Sequence, residues 1–311
     1  MNWKFYLYCL FGCLFLSCYS EDKLVADKEG EGGMRYEFPQ GNNSWDKDLE
    51  EIQKEFGIYI IYKDFEETDL NRSWTGALGE GSTYFGESLN DEQAEFMTKF
   101  MKNHIFAYLT PQATRKVLPM YYYMVYSFRS MGWGGYWYFG KNKFDGMDYW
   151  SICMYSDNPE EGSFYKKIVP PSTEEEYFIC RGTILMEILE RAVKKGTIEI
   201  PEQFHEGFDY TSAVNSYDEN AENYYKRRGL PGLNYGVDSG LQRVAWIGLM
   251  NRYENVMAYI LLGMKYSPEE REEGWFKYPM IQEKYEYLSN YLKTEYGLDL
   301  FIIYKTVANA I

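Results

Sequence analysis

Only two histidines, His104 and His205, occur in the 311 residues, and they restrict the metal chemistry that this sequence can support. A catalytic zinc site commonly uses two or three imidazole ligands. Residues 205–209 read HEGFD, which resembles an HExxH motif with Asp in the last position. Gly207 and the preceding Pro201 predict a loop there, whereas metal binding with this spacing needs a helix. His104 is predicted on the polar side of a helix, so neither histidine is expected to bind a metal.

Charge composition excludes some classes of partner and leaves carboxylate chemistry open. There are 47 Asp and Glu against 32 Lys and Arg, which gives a net charge of −15. Because nucleic-acid binding and adsorption to anionic lipid both depend on Lys and Arg, neither is expected. Carboxylates are so numerous that no particular pair can be identified as that of a glycosidase. The sequence contains no nucleophile-elbow motif, so it does not predict a Ser-His-Asp set.

Aromatic residues make up 19% of the chain, and many of them are crowded between residues 133 and 150. Trp133 and Trp137 are candidate ligand-binding residues, because flat rings with a polar edge can stack on sugars or hold a peptide. The alternative is that these rings pair across strands and fill the core. For most of them the core interpretation is favoured, because apolar and polar residues alternate poorly here.

The elements that must position these residues begin with a helix. Trp45, Leu49, Ile52 and Phe56 recur at helical spacing, and Gly57 ends the run. A second helix is expected over residues 90–109. Runs of β-branched and aromatic residues predict strands over 58–62, 120–126, 132–140 and 149–154. These strands predict a small mixed or largely antiparallel sheet in the N-terminal half.

Long helices are predicted after the sheet. Ser172 and Glu175 indicate a capping box at the start of the clearest helix, residues 173–195, and Gly196 follows its end. Three further helices are predicted over residues 241–263, 278–296 and 300–311. A sheet followed by helices is typical of an α+β domain, here expected to span residues 45–311.

The amino terminus predicts export and lipidation. Residues 1–17 have the single charge Lys4 and an apolar run too short to cross a bilayer, as in a signal peptide. Cys18 after Leu-Ser resembles the lipobox of bacterial lipoproteins, whose Cys is acylated; an ordinary cleaved signal is the alternative. The acidic residues that follow favour the outer face of the outer membrane over the periplasmic face. Residues 18–44 read as a flexible tether.

Two cysteines remain in the predicted domain, Cys153 and Cys180. An oxidising envelope permits a disulfide between them, but the sequence does not give the distance that a bridge requires. Two buried free thiols are the alternative, and the choice stays open.

Several strings in order, among them 56–60, 173–195, 201–204, 228–230 and 253–257, resemble the zinc-binding metallopeptidase lipoproteins of Bacteroidetes. The resemblance covers most of residues 45–311 and implies a zincin-like fold. The chemistry of that family depends on an HExxH helix, whose two His bind zinc and whose Glu acts as general base, with an acidic residue downstream. Members often accompany outer-membrane nutrient uptake systems.

In this sequence the matching helix lacks both histidines. Glu187 takes the place of the base, while Met186 and Glu190 stand where the two His are expected, and Glu254 matches the downstream acid. The resemblance implies zinc, but a thioether is a poor zinc ligand and a lone carboxylate does not replace two imidazoles, so no bound zinc and no other cofactor is expected here. A plainer interpretation is that Glu187 and Glu190 form the solvated face of an amphipathic helix.

Three functions follow from these patterns as expectations. The first is a surface lipoprotein whose degenerate domain binds a glycan, a peptide or another envelope protein without cleaving it. The second is an active hydrolase with an altered acidic site around Glu187, Glu190 and Glu254. The third is a purely structural component of the envelope.

Overall fold

The computed structural model describes residues 36–72, 83–131, 137–146, 148–159, 166–244 and 249–305. The predicted signal peptide, Cys18, most of the predicted tether and Trp133 lie outside these residues. One compact unit begins at Phe38, which is earlier than the predicted boundary at residue 45. Gln40 shows why, because its side-chain oxygen accepts a hydrogen bond of 2.7 Å from the Tyr62 amide. None of the helices in the described ranges is long and apolar enough to cross a membrane.

The elements follow one another in the order that the sequence predicts, with a sheet first and long helices afterwards. The strands are β1 Tyr59–Ile61, β2 Tyr84–Glu87, β3 Tyr121–Met131, β4 Trp137–Phe139, β5 Asn142–Lys143, β6 Tyr149–Tyr155, β7 Leu233–Asn234 and β8 Leu241–Gln242. The longer helices are α1 Ser44–Phe56, α3 Asp91–Phe100, α5 Glu174–Lys194, α8 Arg252–Lys265 and α10 Pro279–Tyr296. The shorter helices are α2 Glu67–Leu70, α4 Pro111–Thr114, α6 Glu202–His205, α7 Gly236–Ser239, α9 Pro268–Arg271 and α11 Leu300–Lys305.

The main sheet is mixed, with strand β3 at its centre. Its first half pairs in parallel with β1 and β6, which places Tyr121 opposite Tyr59 and Tyr149. Its second half pairs antiparallel with β2 and β4, and β5 pairs antiparallel with β6. The expectation of a largely antiparallel sheet is therefore wrong for the central strands, and the mixed alternative is the one observed. Together with the many helices this is an α+β arrangement.

Helix α5 forms much of the core. Its apolar stripe is almost completely buried: Ile184, Leu185, Ile188, Leu189 and Ala192. These residues belong to one buried cluster with Tyr122, Met124 and Trp150 of the sheet. Burying a side chain of this size stabilises a fold by about 1.5–3 kcal/mol relative to leaving it exposed, so α5 is held in place by this face.

Two helix starts differ from the predicted ones, and in each case the capping geometry gives the reason. Helix α5 is capped by Thr173, whose hydroxyl accepts a hydrogen bond from the Glu176 amide at 3.2 Å, rather than by Ser172 with Glu175. Helix α8 begins at Arg252 after the cap residue Asn251, not at residue 241. An N-cap side chain satisfies amides that the first helical turn leaves without partners, so it fixes where the helix starts.

The predicted second helix changes its geometry near its end, in the segment that contains His104. After α3 the chain continues as a π-helical turn, Met101–Ile105, and a short 3₁₀ turn, Phe106–Tyr108. His104 is fully buried, so its prediction on the polar side was wrong. It follows the buried Phe100 and Met101 by four and three residues, a spacing that places it on the apolar stripe of a helix.

Cys153 and Cys180 are both free thiols, as the second of the two alternatives expects, but only Cys153 is buried and Cys180 is half-buried. Desolvation raises the pKa of Cys180 to about 12. It also raises the pKa of Cys153, although backbone hydrogen bonds partly oppose the effect. Since thiolates are the reactive form, these raised pKa values disfavour reaction of either thiol near neutral pH.

Candidate functional site

The three glutamates that the resemblance singled out line one groove between helices α5 and α8. This acidic groove has a volume of about 570 Å³. It is lined by Thr183, Met186, Glu187 and Glu190 of α5, by residues 233–237, and by Tyr253, Glu254 and Met257 of α8. The structure thus brings the predicted residues together from two helices that are far apart in sequence.

The sequence places these side chains in the groove through helix periodicity. Glu187 and Glu190 are one turn apart on the face of α5 opposite its buried stripe. Glu254 lies in the first turn of α8, which packs against α5. Gly182 of α5 allows helix α7, which forms part of the groove wall, to lie close to α5. A Cβ at position 182 would lie only 2.8 Å from the Cγ1 of Val237.

The carboxylate of Glu187 is held by an arginine one turn further along α5. The Nε and Nη2 of Arg191 lie 2.8 and 2.7 Å from the Oε1 of Glu187. The guanidinium also lies 5.5 Å from the centre of the Trp150 ring, which fixes it from the side of the sheet. Both side chains are about 30% exposed, so the pair contributes little stability and serves mainly to orient the carboxylate.

Glu190 is likewise paired with a basic residue one turn further along α5. The Nζ of Lys194 donates a hydrogen bond of 2.6 Å to its Oε1 and lies 4.9 Å from the centre of the Tyr253 ring. Burial alone would raise the pKa of Glu190, but Lys194 and the nearby Tyr253 hydroxyl outweigh it, so the pKa is lowered. Glu190 is therefore ionised at neutral pH. Burial, followed by the proximity of Glu190, raises the pKa of Tyr253.

Glu254 completes the capping box of α8. Its Oε2 accepts a hydrogen bond of 2.9 Å from the Asn251 amide, and its own amide donates one of 2.9 Å to the Oδ1 of Asn251. All three glutamates thus have a local structural partner. In each case the hydrogen bonds reach one carboxylate oxygen, and the second oxygen makes no hydrogen bond within the described part of the chain.

The donor set of the groove does not fit zinc. Its possible ligands are three carboxylates that already have partners and the thioether of Met186, and no histidine is among the described residues that line it. Structural and catalytic zinc sites draw on Cys and His far more than on such a set. Within the described ranges, no three His, Cys, Asp or Glu side chains cluster closely enough to hold a metal ion. Within these ranges the charged residues that line the groove are Glu187, Glu190 and Glu254, and the first two are paired with Arg191 and Lys194.

The two histidines lie outside the groove in separate packed environments. His205 ends the one-turn helix α6, and its Nδ1 lies 3.0 Å from the hydroxyl of Tyr210. That hydroxyl also accepts a hydrogen bond of 3.1 Å from Asn255. Burial, then the nearby Arg252, lowers the pKa of His205. His104 contacts aromatic rings and a buried arginine.

A second cavity lies beside the sheet. This aromatic cleft has a volume of about 360 Å³ and is lined by Tyr84, by residues 128–130, 138–140 and 142–145, and by Glu187 and Arg191. Glu187 therefore belongs to the walls of both cavities. The partners Arg191 and Lys194 were not singled out from the sequence, although their spacing of four residues from Glu187 and Glu190 is a recognised signal of helical ion pairs.

Trp137, a predicted ligand-binding residue, is not among the residues that line the aromatic cleft. Its ring lies 5.3 Å from the Arg129 guanidinium and 5.1 Å from the Phe85 ring. These contacts favour the packing interpretation for Trp137.

Comparison with known proteins gives little beyond this geometry. No protein-family model matches the sequence, and no curated protein matches it. A search of solved structures finds a crystal structure from Bacteroides caccae that is described as a "putative zinc-binding metallo-peptidase". The two chains are 12% identical with a TM-score of 0.42, and the alignment covers 85% of this chain and 92% of the other. This is a distant likeness.

Proposed function

We propose that this protein is a lipoprotein of the bacterial envelope that binds a partner through its acidic groove and does not cleave it. The proposal joins the sequence pattern of residues 1–18 with a zincin-like domain in which the catalytic positions have been lost. The observation that carries it is the state of the three glutamates: each carboxylate lines the groove and is oriented by a local partner in its own helix or cap.

The donor set supports binding rather than hydrolysis. A general base removes a proton from the attacking water, and in the family that the sequence resembles a zinc ion makes that water acidic enough to lose it. Met186 and Glu190 stand where the two imidazole ligands of the zinc are expected, so the residues that would hold the ion are missing. What remains is a groove lined by three carboxylates, of which Glu187 and Glu190 are paired with Arg191 and Lys194.

The groove favours an envelope protein that presents a basic side chain. A lysine or arginine entering between α5 and α8 would meet the free oxygens of Glu187, Glu190 and Glu254. Met186 and Met257 offer flexible apolar surface for the aliphatic part of such a side chain. Charge complementarity of this kind steers association and determines register.

The binding proposal is tested with the mature lipoprotein in detergent. The triple variant Glu187→Gln, Glu190→Gln, Glu254→Gln is compared with the wild type for capture and crosslinking of solubilised envelope proteins. Glu283→Gln on α10 is the control, because it removes an exposed acid that does not line the groove. We expect the triple variant, but not Glu283→Gln, to lose one specific partner. Salt should accelerate the dissociation of that partner from the wild type. If every captured protein is retained equally by both variants, the groove is not the binding site.

The anchoring part of the proposal has its own test. Cells that make the protein are labelled with a radioactive fatty acid, and Cys18→Ala is the control. We expect label in the wild type only. External protease applied to intact cells then distinguishes the outer face from the periplasmic face, since only a surface-displayed chain is degraded.

An altered hydrolase is the second candidate, and one observation favours it: the three glutamates line a single groove. It predicts stoichiometric zinc in protein purified with zinc present, together with turnover of an amide substrate. Both signals must disappear in Glu187→Gln. That result would replace the binding proposal, whereas absence of metal and turnover with no captured partner would favour a purely structural role.

A further inference from the structure

The aromatic cleft differs from the acidic groove in the chemistry of its walls. Aromatic rings line one part of it, and Tyr138 is the most exposed of them, with 37% of its surface accessible. Tyr84 is already covered, because its ring stacks on Phe128 at 5.4 Å and the Nζ of Lys143 lies 4.4 Å from its centre. Among the lining rings, Tyr138 therefore offers a ligand in the cleft the largest accessible surface.

Charges in the cleft are already balanced. Arg191 pairs with Glu187 at 2.7 Å, Lys143 pairs with Asp145, and Arg129 lies 3.8 Å from Glu87. A strongly anionic or cationic ligand would have to compete with these partners. The cleft therefore favours a neutral ligand, in contrast to the acidic groove.

Hydrogen-bonding groups without partners are also present. The side-chain amide of Asn142 and the hydroxyl of Ser130 line the cleft and make no hydrogen bond to the described residues. An amide offers two donors and an acceptor, and a hydroxyl offers one donor and an acceptor. Groups of this kind recognise hydroxyl groups, which likewise donate and accept.

From these three properties we propose that the aromatic cleft binds a neutral saccharide. A sugar ring has an apolar face of C–H groups that packs on an aromatic ring, and a rim of hydroxyls that needs both donors and acceptors. Tyr138 supplies the ring, Asn142 and Ser130 supply uncommitted polar groups, and the paired charges supply further donors and acceptors. The volume of about 360 Å³ lies at the lower end of the range for small-ligand sites, so the cleft takes one or two sugar units of a chain.

This site is independent of the partner proposed for the acidic groove, although Glu187 lines both cavities. Saccharide binding does not require that the groove captures an envelope protein, and a failure of either proposal leaves the other standing. The variants below therefore avoid Glu187 and Arg191.

The experiment uses the mature protein in detergent and a panel of oligosaccharides. The neutral probes are built from glucose, mannose, galactose or xylose, and matched uronic-acid and amino-sugar oligomers, together with short acidic and basic peptides, complete the panel. Binding is measured by calorimetry at millimolar probe concentrations. Tyr138→Ala and Asn142→Leu are the site variants, and Tyr287→Ala is the control because its 36% exposure matches that of Tyr138.

We expect at least one neutral oligosaccharide to bind, and binding to weaken roughly tenfold in Tyr138→Ala, which is the effect of losing one aromatic contact. Asn142→Leu is expected to weaken it roughly fivefold or more through lost hydrogen bonds. Tyr287→Ala should bind as the wild type does. The proposal is overturned if no neutral probe binds the folded protein, if only charged sugars or peptides bind, or if both site variants bind as tightly as the control.

Discussion

His104 should make the folded protein sensitive to mild acid. Its ring is buried between Phe100 and Tyr177, whose centres lie 5.0 and 5.1 Å away, and its Nδ1 faces the Nη1 of the buried Arg181 at 3.4 Å. Burial, followed by the positive charge of Arg181, lowers the pKa of His104 from 6.5 to about 4. The neutral ring is thus strongly preferred in the folded state.

The sign and size of the effect follow from linkage. Above pH 6.5 the ring is neutral in both states, so the full stability is present. As the pH falls from 6.5 towards 4, the unfolded chain binds a proton at His104 while the folded protein does not, and the folded state loses stability. The loss is roughly 2 kcal/mol at pH 5 and roughly 3 kcal/mol at pH 4, relative to pH 7.

Urea denaturation at pH 7, 5 and 4 measures this loss. His104→Asn retains an acceptor for Arg181 without a titrating ring, and His205→Asn removes the other histidine as the matched control. We expect the wild type to lose more free energy of unfolding at low pH than His104→Asn, by the amounts above. His205→Asn should lose less than the wild type, because the pKa of His205 is also lowered in the folded state, but more than His104→Asn. Carboxylate contributions are common to all three proteins and cancel. Equal losses in the wild type and His104→Asn would show that the ring is not held neutral by its surroundings.

Three further predictions concern the fold. Thr173→Ala should lower the free energy of unfolding by about 1 kcal/mol and Ser172→Ala by clearly less, since Thr173 is the cap; the reverse order in urea denaturation would contradict the observed cap. Tyr259→Phe should cost about 1 kcal/mol, because its buried hydroxyl donates to a backbone carbonyl at 2.7 Å, and an unchanged denaturation midpoint would count against that bond. Peptide mapping after iodoacetamide at pH 8 should find Cys153 and Cys180 unmodified until the protein is unfolded, and rapid modification of Cys180 in the native state would contradict its burial.

Most helices could be predicted from the sequence, because apolar spacing and end-capping residues are local features of the chain. The apolar stripe of α5 and the end of α1 at Gly57, which has a φ of 72°, were both predicted. Residues 241–244 and 249–250 were wrongly included in the predicted helix, because only the cap at Asn251 defines where α8 starts. The boundary is therefore decided by hydrogen bonds rather than by periodicity.

The sheet was less readable, because strand order depends on contacts between distant parts of the chain. Tyr59, Tyr121 and Tyr149 lie side by side across three parallel strands, although each of their strands reads alone as an apolar run. An apolar run does not indicate whether the neighbouring strand is parallel or antiparallel to it. The alternative that the sequence left open was resolved only by the pairing itself.

The candidate site was predicted in its members but not in its electrostatics. The resemblance named Glu187, Glu190 and Glu254, and the structure brings them to one groove. Their engagement with Arg191 and Lys194 decides what the groove can do, and that depends on side-chain geometry. The contacts of Trp137 with Arg129 and Phe85 likewise depend on strand register, which the sequence does not give.

The position of strand β3 has a consequence for how this protein opens. It is hydrogen-bonded to β1 and β2 along one edge and to β6 and β4 along the other. Fraying at the margin of the sheet can therefore release an outer strand, but no partial opening frees β3 while its neighbours stay in place. Its amide hydrogens should exchange with deuterium last of all, at a rate that reports the cooperative loss of the entire domain.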